Sequence, residues 1–167
     1  MSVRVPGWCT SPSLALNGSP AALDDVRERG YARLTRRWAR GDRVTLELPM
    51  PAVRVWADVN VPEAAGRVAM QRGPVVYCLE GVDHDVPVHT LALPGDAELR
   101  TEPNALSGLA ALTAEGVAVV NPDGDEALYR FDPPGRRDAA LRAVPYFSWA
   151  NRGQSDMTVW VREDGVR

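Results

Sequence analysis

The sequence predicts an all-β protein, folded as an antiparallel β-sandwich or jelly roll, or as two small sandwiches that abut. Three observations support this prediction. Apolar and polar side chains alternate along several short segments, turn signals recur about every ten positions, and 14 glycines and 14 prolines are spread along the chain. Long helices do not tolerate that distribution. We expect about eight strands or more in two packed sheets, and no helix longer than about three turns.

The alternation is clearest in the segments 44–48, 53–57 and 157–161. In 53–57 the apolar residues fall on one face, and Arg54 and Trp56 fall on the opposite face. This period of two is typical of a strand that is buried on one side and exposed on the other. We therefore expect these arginine and tryptophan side chains to point away from the core.

The segment 75–80 is apolar on both faces. A strand of this kind is covered on both sides, so we expect a central strand with Tyr77 and Leu79 in the core. Weaker strand candidates lie at 3–8, 31–38, 66–72, 89–93, 116–120, 127–131 and 144–150.

Turn signals separate the predicted strands. Asn17-Gly18 is the strongest, because a two-residue type I′ hairpin turn needs positive φ at both central positions. Along 21–30 the apolar spacing predicts one short helix, capped by Ser19 with Pro20 at the first helical position. Further turns are predicted at Gly73-Pro74, 121–124 and 133–135.

Size and charge limit the possible partners. We treat the 167 residues as one module, 1–167, whose best internal boundary lies near 81–94, where the alternation breaks. The net charge of −3 gives no basic surface for nucleic acid. No apolar run reaches the roughly 20 residues of a membrane-spanning helix, and the first residues lack the apolar core of a signal peptide. We expect a cytoplasmic protein that binds neither nucleic acid nor membrane.

One loop concentrates the imidazole and carboxylate groups. Asp83, His84, Asp85 and His89 lie together there, with Glu80 just before them. Such side chains bind divalent metals when a loop folds them together, but their spacing matches no ligand motif. We expect a solvated polar loop without a metal or cofactor. The sequence also lacks GxSxG and phosphate-loop motifs.

Two arginine turns and the aromatic side chains are candidates for a docking surface. Arg72 and Pro74 flank one glycine, and Asn151 and Arg152 precede another. Because arginine forms bidentate pairs with carboxylates, these turns suit either ion pairs within the module or the rim of an interface. The five tryptophans and four tyrosines are expected mainly to pack within the fold. Docking against another domain and sugar binding are the alternatives.

Four strings resemble one protein family, in the same order along the chain. The strings are RVPGWC at 4–9, GYARLTRRWARGDRVTLELPM at 30–50, GRVAMQRGPVVYCLEGVDHD at 66–85 and VPYFSWANRGQSDMTVWV at 144–161. They resemble the C-terminal β-region of glycoside hydrolase family 127, the family of bacterial β-L-arabinofuranosidases. The strings span nearly the whole chain.

The resemblance implies a parent protein in which an N-terminal (α/α)6 barrel carries catalysis and β-domains follow it. It also implies a cysteine nucleophile at a zinc site of cysteines and a glutamate, with a second glutamate as the acid/base. Cys9 and Cys78, the two cysteines here, match none of those positions, and we expect buried free thiols. We therefore expect no catalytic residue, metal or cofactor in this chain. Its expected role is that of an accessory module that supports the missing barrel or mediates homodimerisation, and an autonomous carbohydrate-binding module is the alternative.

Overall fold

The computed structural model describes residues 1–106, 108–121 and 128–165. Strands dominate these ranges, and their one α-helix is a single turn. The prediction of an all-β protein is therefore confirmed. The chain divides into two compact units, Met1–Pro51 and Ala52–Arg167, and each unit has a hydrophobic core of its own.

The N-terminal unit contains two three-stranded antiparallel sheets. Its elements are β1 (Ser2–Arg4), β2 (Ser13–Leu16), β3 (Ser19–Ala21), α1 (Leu23–Val26), β4 (Arg27–Glu28), β5 (Tyr31–Arg33) and β6 (Val44–Glu47). One sheet has the order β1–β5–β4 and the other the order β3–β2–β6. Both sheets contribute to one core, formed by Val5, Leu14, Ala32 and Leu34. The strand predicted at 44–48 is confirmed, and Val44 and Leu46 pack against this core.

Asn17 and Gly18 form the predicted hairpin turn between β2 and β3. Both have positive φ, 51° and 82°, as a type I′ turn requires. The Asn17 side chain also accepts a hydrogen bond from the backbone N–H of Arg43 (2.7 Å) and donates one to Asp42 (2.8 Å). Asp42 accepts a further bond from the Ala39 N–H, which together with the Asn17 bond holds the pKa of Asp42 below its ordinary value.

The helix predicted at 21–30 is shorter than expected. It consists of α1 alone, because strand β4 follows it at once. Ser19 does not cap this helix, because Ser19 belongs to β3 and pairs with Leu16. The helix begins after Ala22, and no side chain caps it.

The C-terminal unit is a closed barrel with three added strands. Its strands are β7 (Ala52–Val55), β8 (Arg67–Arg72), β9 (Val75–Glu80), β10 (Leu91–Pro94), β11 (Arg100–Leu106), β12 (Leu109–Val120), β13 (Gly135–Pro145), β14 (Met157–Thr158) and β15 (Val161–Asp164). The ring runs β8–β9–β13–β12–β10–β15, and β15 pairs with β8 to complete it. Every pair in the ring is antiparallel except β10–β15. Strands β7, β14 and β11 extend β8, β9 and β12.

This barrel differs from the predicted sandwich or jelly roll. A sandwich keeps two separate sheets, whereas here each of the six ring strands pairs with two others of the ring, so the sheet closes on itself. Alternating side chains predict a buried face but not which strands pair, and the pattern fits both architectures. The segment 81–94, where the sequence predicted a boundary, lies inside this unit and comprises the connection after β9 together with β10. The observed division lies instead at Pro51 and Ala52.

Strand β9 is central, as predicted. Tyr77 is 3% exposed and Leu79 is fully buried, which confirms both as core residues. The barrel core consists of Val68, Met70, Tyr77, Leu79, Val88, Leu91, Leu93, Leu112, Ala114, Ala118, Leu141, Ala143 and Val161.

Two strand predictions are corrected by the structure. Along β7, Val53 is 40% exposed, whereas Arg54 lies inward with its side chain only 11% exposed. This is possible because the Arg54 guanidinium donates to the carbonyl oxygens of Pro94 (2.7 Å) and Ala97 (2.6 Å). The strand predicted at 157–161 is split into β14 and β15, which pair with different neighbours.

The weaker strand predictions have mixed outcomes. Strands overlap the candidates at 3–8, 31–38, 66–72, 89–93, 116–120 and 144–150. Residues 128–131 contain no strand, and the turn predicted at 121–124 lies, except for Asn121, outside the described residues. No helix in the described ranges is long and apolar enough to span a membrane.

Candidate functional site

The end of β9 buries a carboxylate. Glu80 is 0% exposed, and an ionised group in such a place needs charged and hydrogen-bonding partners. Its Oε1 accepts a hydrogen bond from the backbone N–H of Ala150 (2.8 Å). Its Oε2 accepts one from the Arg152 guanidinium. Both oxygens of Glu80 are therefore engaged.

Arg152 also binds Asp83, one short turn after β9. The two side chains form a bidentate pair, with Nη1 of Arg152 lying 2.7 Å from Oδ1 of Asp83. Arg142 of β13 donates to the same Oδ1 (2.9 Å) and, through Nε, to Glu102 of β11 (3.1 Å). Acids and arginines thus alternate in a chain of five side chains, which we call the Glu80–Glu102 network.

The network fixes the protonation states of Asp83 and Arg152. Burial raises the pKa of Asp83, but the hydrogen bonds and charges of Arg152 and Arg142 outweigh it, so this pKa lies below its ordinary value. The hydrogen bonds to Asp83, ahead of those to Glu80, raise the pKa of Arg152. Asp83 is therefore a carboxylate, and Arg152 is a cation, at neutral pH.

His84 lies beside the network as a structural residue. Its Nε2 is 3.2 Å from the backbone nitrogen of Arg142, and its Nδ1 is 2.7 Å from the backbone oxygen of Glu80. Because a backbone N–H can only donate, Nε2 accepts, and Nδ1 then carries the proton that is donated to Glu80. Both ring nitrogens are used in this way.

The network holds an exposed aromatic turn. Residues Tyr146–Ser148 form a 3-10 turn after β13, and the rings of Tyr146 and Trp149 stack with centroids 6.4 Å apart and planes 9° apart. Tyr146, Phe147 and Trp149 are 47%, 65% and 42% exposed. Ala150, which follows them, has φ of +63°, and its N–H is the one bound by Glu80.

The four predicted interface residues do not form a single patch. Asn151 and Arg152 lie at the Glu80 end of β9, where Asn151 donates to the Ser148 carbonyl (3.1 Å). Arg72 and Pro74 lie in the β8–β9 hairpin, at the other end of β9. A strand of this length separates its ends by roughly 16 Å.

Each of these four residues has a definite environment. Arg152 lies within an ion network of the unit, which is one of the two roles proposed from the sequence. Arg72 is half-buried. Burial raises the pKa of the Tyr77 hydroxyl above its ordinary value, and the charge and hydrogen bond of Arg72 oppose this shift only in part. Pro74 and Asn151 are exposed.

The predicted polar loop is only partly solvated. Glu80, Asp83 and His84 are tied to the barrel, whereas Asp85 forms an exposed pair with Arg137 (2.8 Å). His89 lies apart, in the turn before β10. Within the described ranges, no group of three or more histidine, cysteine or acidic side chains is placed to hold a metal.

Sequence reasoning missed Arg142 and Glu102. Glu102 lies on β11, where no strand was predicted, and Arg142 lies on β13, of which the weak candidate at 144–150 covers only the end. Arg142 alternates with the buried Leu141 and Ala143, and this alternation is the one signal that places it on the outer face of the barrel. Nothing in the sequence pairs it with Asp83.

Both cysteines are buried free thiols, as predicted. Burial, followed by the negative charge of Glu80, raises the pKa of Cys78 to about 12. Cys78 is therefore a protonated thiol at neutral pH, which is a poor nucleophile. Cys9 lies in the N-terminal unit, where its thiol donates to the Pro49 carbonyl oxygen (3.6 Å).

Comparison with known families agrees with the strings quoted above. Residues 1–50 match the β-L-arabinofuranosidase GH127 middle domain, and residues 52–162 match the glycoside hydrolase family 127 C-terminal domain. The two matches meet where the structure divides into its two units. The chain belongs to glycoside hydrolase family 127.

Individual relatives cover almost all of this chain. The non-reducing end β-L-arabinofuranosidase of Bifidobacterium longum is 34% identical over 96% of the chain, which spans 25% of that protein. The crystal structure of a GH127 β-L-arabinofuranosidase from Geobacillus stearothermophilus T6 superposes with a TM-score of 0.90 at 40% identity, over 98% of this chain and 26% of its own. A further GH127 β-arabinofuranosidase structure gives a TM-score of 0.84 at 28% identity, covering 98% of this chain and 27% of its own. The chain thus spans about a quarter of the relatives it matches.

Proposed function

We propose that this chain is a non-catalytic accessory part of a β-L-arabinofuranosidase-like glycoside hydrolase, and that it supports the catalytic domain by packing against it. One observation carries the proposal. The chain matches the middle and C-terminal domains of the family, while the relatives are about four times as long as this chain. The proposed binding partner is the N-terminal domain of the same parent protein.

The aromatic turn is the part of the C-terminal unit best suited to this contact. It exposes three large aromatic side chains within four residues, and aromatic residues are enriched in the buried centres of interfaces. Glu80 fixes the end of the turn through Ala150, and Arg152 ties the following segment to Asp83. A surface that is rigid before binding loses little conformational entropy when it binds.

The carboxylates of the network suit a structural role better than a catalytic one. Hydrolysis of a glycoside needs two carboxyl groups that face the sugar, one of them able to donate a proton. Here both oxygens of Glu80 are engaged by Ala150 and Arg152, and the two arginines keep Asp83 ionised. We therefore infer that catalysis belongs to the rest of the parent protein, and that neither carboxylate takes part.

The test is to mix the chain with the separately expressed N-terminal domain and to measure association by calorimetry. We expect binding by the wild type and at least about tenfold weaker binding by Phe147→Ser, since the loss of an interface anchor costs on the order of 1.4 kcal/mol or more. Trp56→Ala, which removes an exposed aromatic elsewhere in the same unit, is the matched control and should bind normally. No association of two folded partners would contradict the proposal.

Two further proposals accompany the accessory role. Homodimerisation is the alternative way in which the module serves its parent, and in that case the aromatic turn contacts a second copy of the chain instead of the N-terminal domain. A cytoplasmic location remains our expectation from the sequence, and fractionation of cells that express the parent protein tests it.

A further inference from the structure

The loop between β7 and β8, together with Glu163 of β15, lines an open pocket that the accessory role does not use. The pocket has a volume of about 370 Å³, which is within the range of small-ligand sites. Its walls include Trp56, Asp58, Val59, Val61, Arg67 and Glu163. We call it the Trp56 pocket.

Trp56 is exposed but fixed. Its side chain is 58% exposed, yet its indole N–H donates to Oε2 of Glu163 at 2.8 Å. Glu163 is only 7% exposed and contacts Arg54 through its other oxygen at 3.4 Å. Arg54 is in turn anchored on two backbone carbonyls. The indole is therefore oriented before any ligand arrives, which reduces the entropy lost on binding.

Asp58, which also lines the pocket, is held in place as well. Oδ1 of Asp58 accepts hydrogen bonds from the backbone N–H (2.9 Å) and the side chain (2.8 Å) of Asn60. Oδ2 has no hydrogen-bond partner within the described ranges. Arg67 uses Nη1 to bind the Trp160 carbonyl (3.1 Å), which leaves its other N–H groups for a ligand. Oδ2 of Asp58 is therefore available to accept a hydrogen bond from a ligand, and the remaining N–H groups of Arg67 are available to donate.

The charges of the pocket balance. Glu163 is paired with Arg54, and the remaining acidic and basic lining residues are Asp58 and Arg67. Such a pocket has no excess charge to attract an anion or a cation. It suits a neutral ligand that has both an apolar face and hydroxyl groups.

We propose that the Trp56 pocket binds a neutral saccharide ring. The apolar C–H face of the ring stacks on the indole of Trp56, and ring hydroxyls donate to Asp58 and accept from Arg67. Membership of glycoside hydrolase family 127 makes a saccharide the neutral polyhydroxyl ligand of choice. This inference goes beyond the accessory role and is independent of the docking of the aromatic turn.

The test is an NMR titration of the full chain with methyl β-L-arabinofuranoside, with maltose as an unrelated neutral sugar. The readout is the indole N–H signal of Trp56, assigned with Trp56→Phe. We expect a saturable shift of this signal for the furanoside, with affinity in the millimolar to micromolar range. Trp56→Ala removes the indole that is observed, so binding to this variant is followed by saturation transfer to the signals of the furanoside, and we expect it to be abolished. Asp58→Asn, which keeps the acceptor for Asn60, should weaken it at least about tenfold, or about 1.4 kcal/mol.

The controls separate this proposal from its competitors. Trp38→Ala removes another exposed tryptophan, in the N-terminal unit, and should leave binding unchanged. Saturation by maltose as well would support a general saccharide site. A shift with tetramethylammonium chloride alone, or no shift with any sugar in a folded chain, would overturn the proposal. A Trp56 signal that responds only to the separately expressed N-terminal domain would also overturn it, and would make the pocket part of the docking surface.

Discussion

Arg152 is the residue on which the buried end of β9 depends. Glu80 is 0% exposed in the folded protein, and if Arg152 is replaced this carboxylate keeps one backbone hydrogen bond and loses its counter-charge. We expect Arg152→Ala to lower the free energy of unfolding by about 3 kcal/mol, which is the lower end of the range for a broken buried pair. The lower end applies because the Arg152 side chain is 27% exposed. Urea denaturation measures the loss.

Arg137 provides the matched control for this substitution. It pairs with Asp85 at 2.8 Å, but both side chains are largely exposed, 44% and 73%. Surface pairs of this kind contribute about 0–1 kcal/mol, so Arg137→Ala should change stability little. Equal losses in the two variants would show that the burial of Glu80 does not decide the effect.

The low pKa of Asp83 predicts that its ion pairs stabilise the folded protein at neutral pH and cease to do so in acid. Its pKa in the folded protein is below the ordinary value, so its ion pairs stabilise the fold fully above the unfolded pKa of about 3.9. This contribution is lost as the pH falls through the lower, folded pKa. We expect the stability difference between the wild type and Asp83→Asn to shrink between about pH 5 and about pH 2. A constant difference in urea midpoint over that range would contradict this assignment.

At the scale of elements, β12 depends on one glycine. Gly116 lies where β12 pairs with β13 and crosses close to β10, and a Cβ there would meet the side chain of Leu141 and, at 2.9 Å, the carbonyl oxygen of Ala92. The Ala92 carbonyl belongs to the backbone of β10, which cannot move aside as a flexible side chain can. We therefore expect Gly116→Ala to cost about 1–3 kcal/mol, as overpacking of a core does.

Gly135, at the start of β13, is the control for Gly116. A Cβ there would lie 3.5 Å from the Val120 carbonyl oxygen, which is an ordinary contact. Gly135→Ala should leave the thermal midpoint nearly unchanged. If both alanine variants unfold at the wild-type temperature, the close approach at Gly116 is not limiting.

The sequence predicted elements best where local pattern decides structure. The Asn17-Gly18 turn and the faces of β6 follow from the identities of neighbouring residues, and both are as expected. The face of β7 was wrong because Arg54 finds carbonyl partners that lie 40 and 43 positions away. The Glu80–Glu102 network is likewise made by strands distant in sequence, so no spacing rule indicates it.

At the scale of the molecule, the aromatic turn predicts self-association in the absence of its partner. This prediction rests on the proposed function. Exposed aromatic side chains favour burial, so the sedimentation coefficient of the wild type should rise with protein concentration. Phe147→Ser should reduce that rise. A sedimentation coefficient that is independent of concentration in the wild type would argue against the turn as a dimer contact.

The closed ring of the C-terminal unit has a consequence for how the chain acquires its structure. The ring is completed by β15, whose Val161 pairs with Val68 of β8, so the closing contact joins residues near the two ends of the unit. Contacts of such long separation form slowly, because the loop entropy is lost before the contacts compensate for it. During synthesis the first residues of β8, Arg67 and Val68, and the edge of β10 that faces β15 therefore remain unpaired until the last strand is available. In that interval the nascent unit is exposed to edge-to-edge association, which the finished barrel prevents.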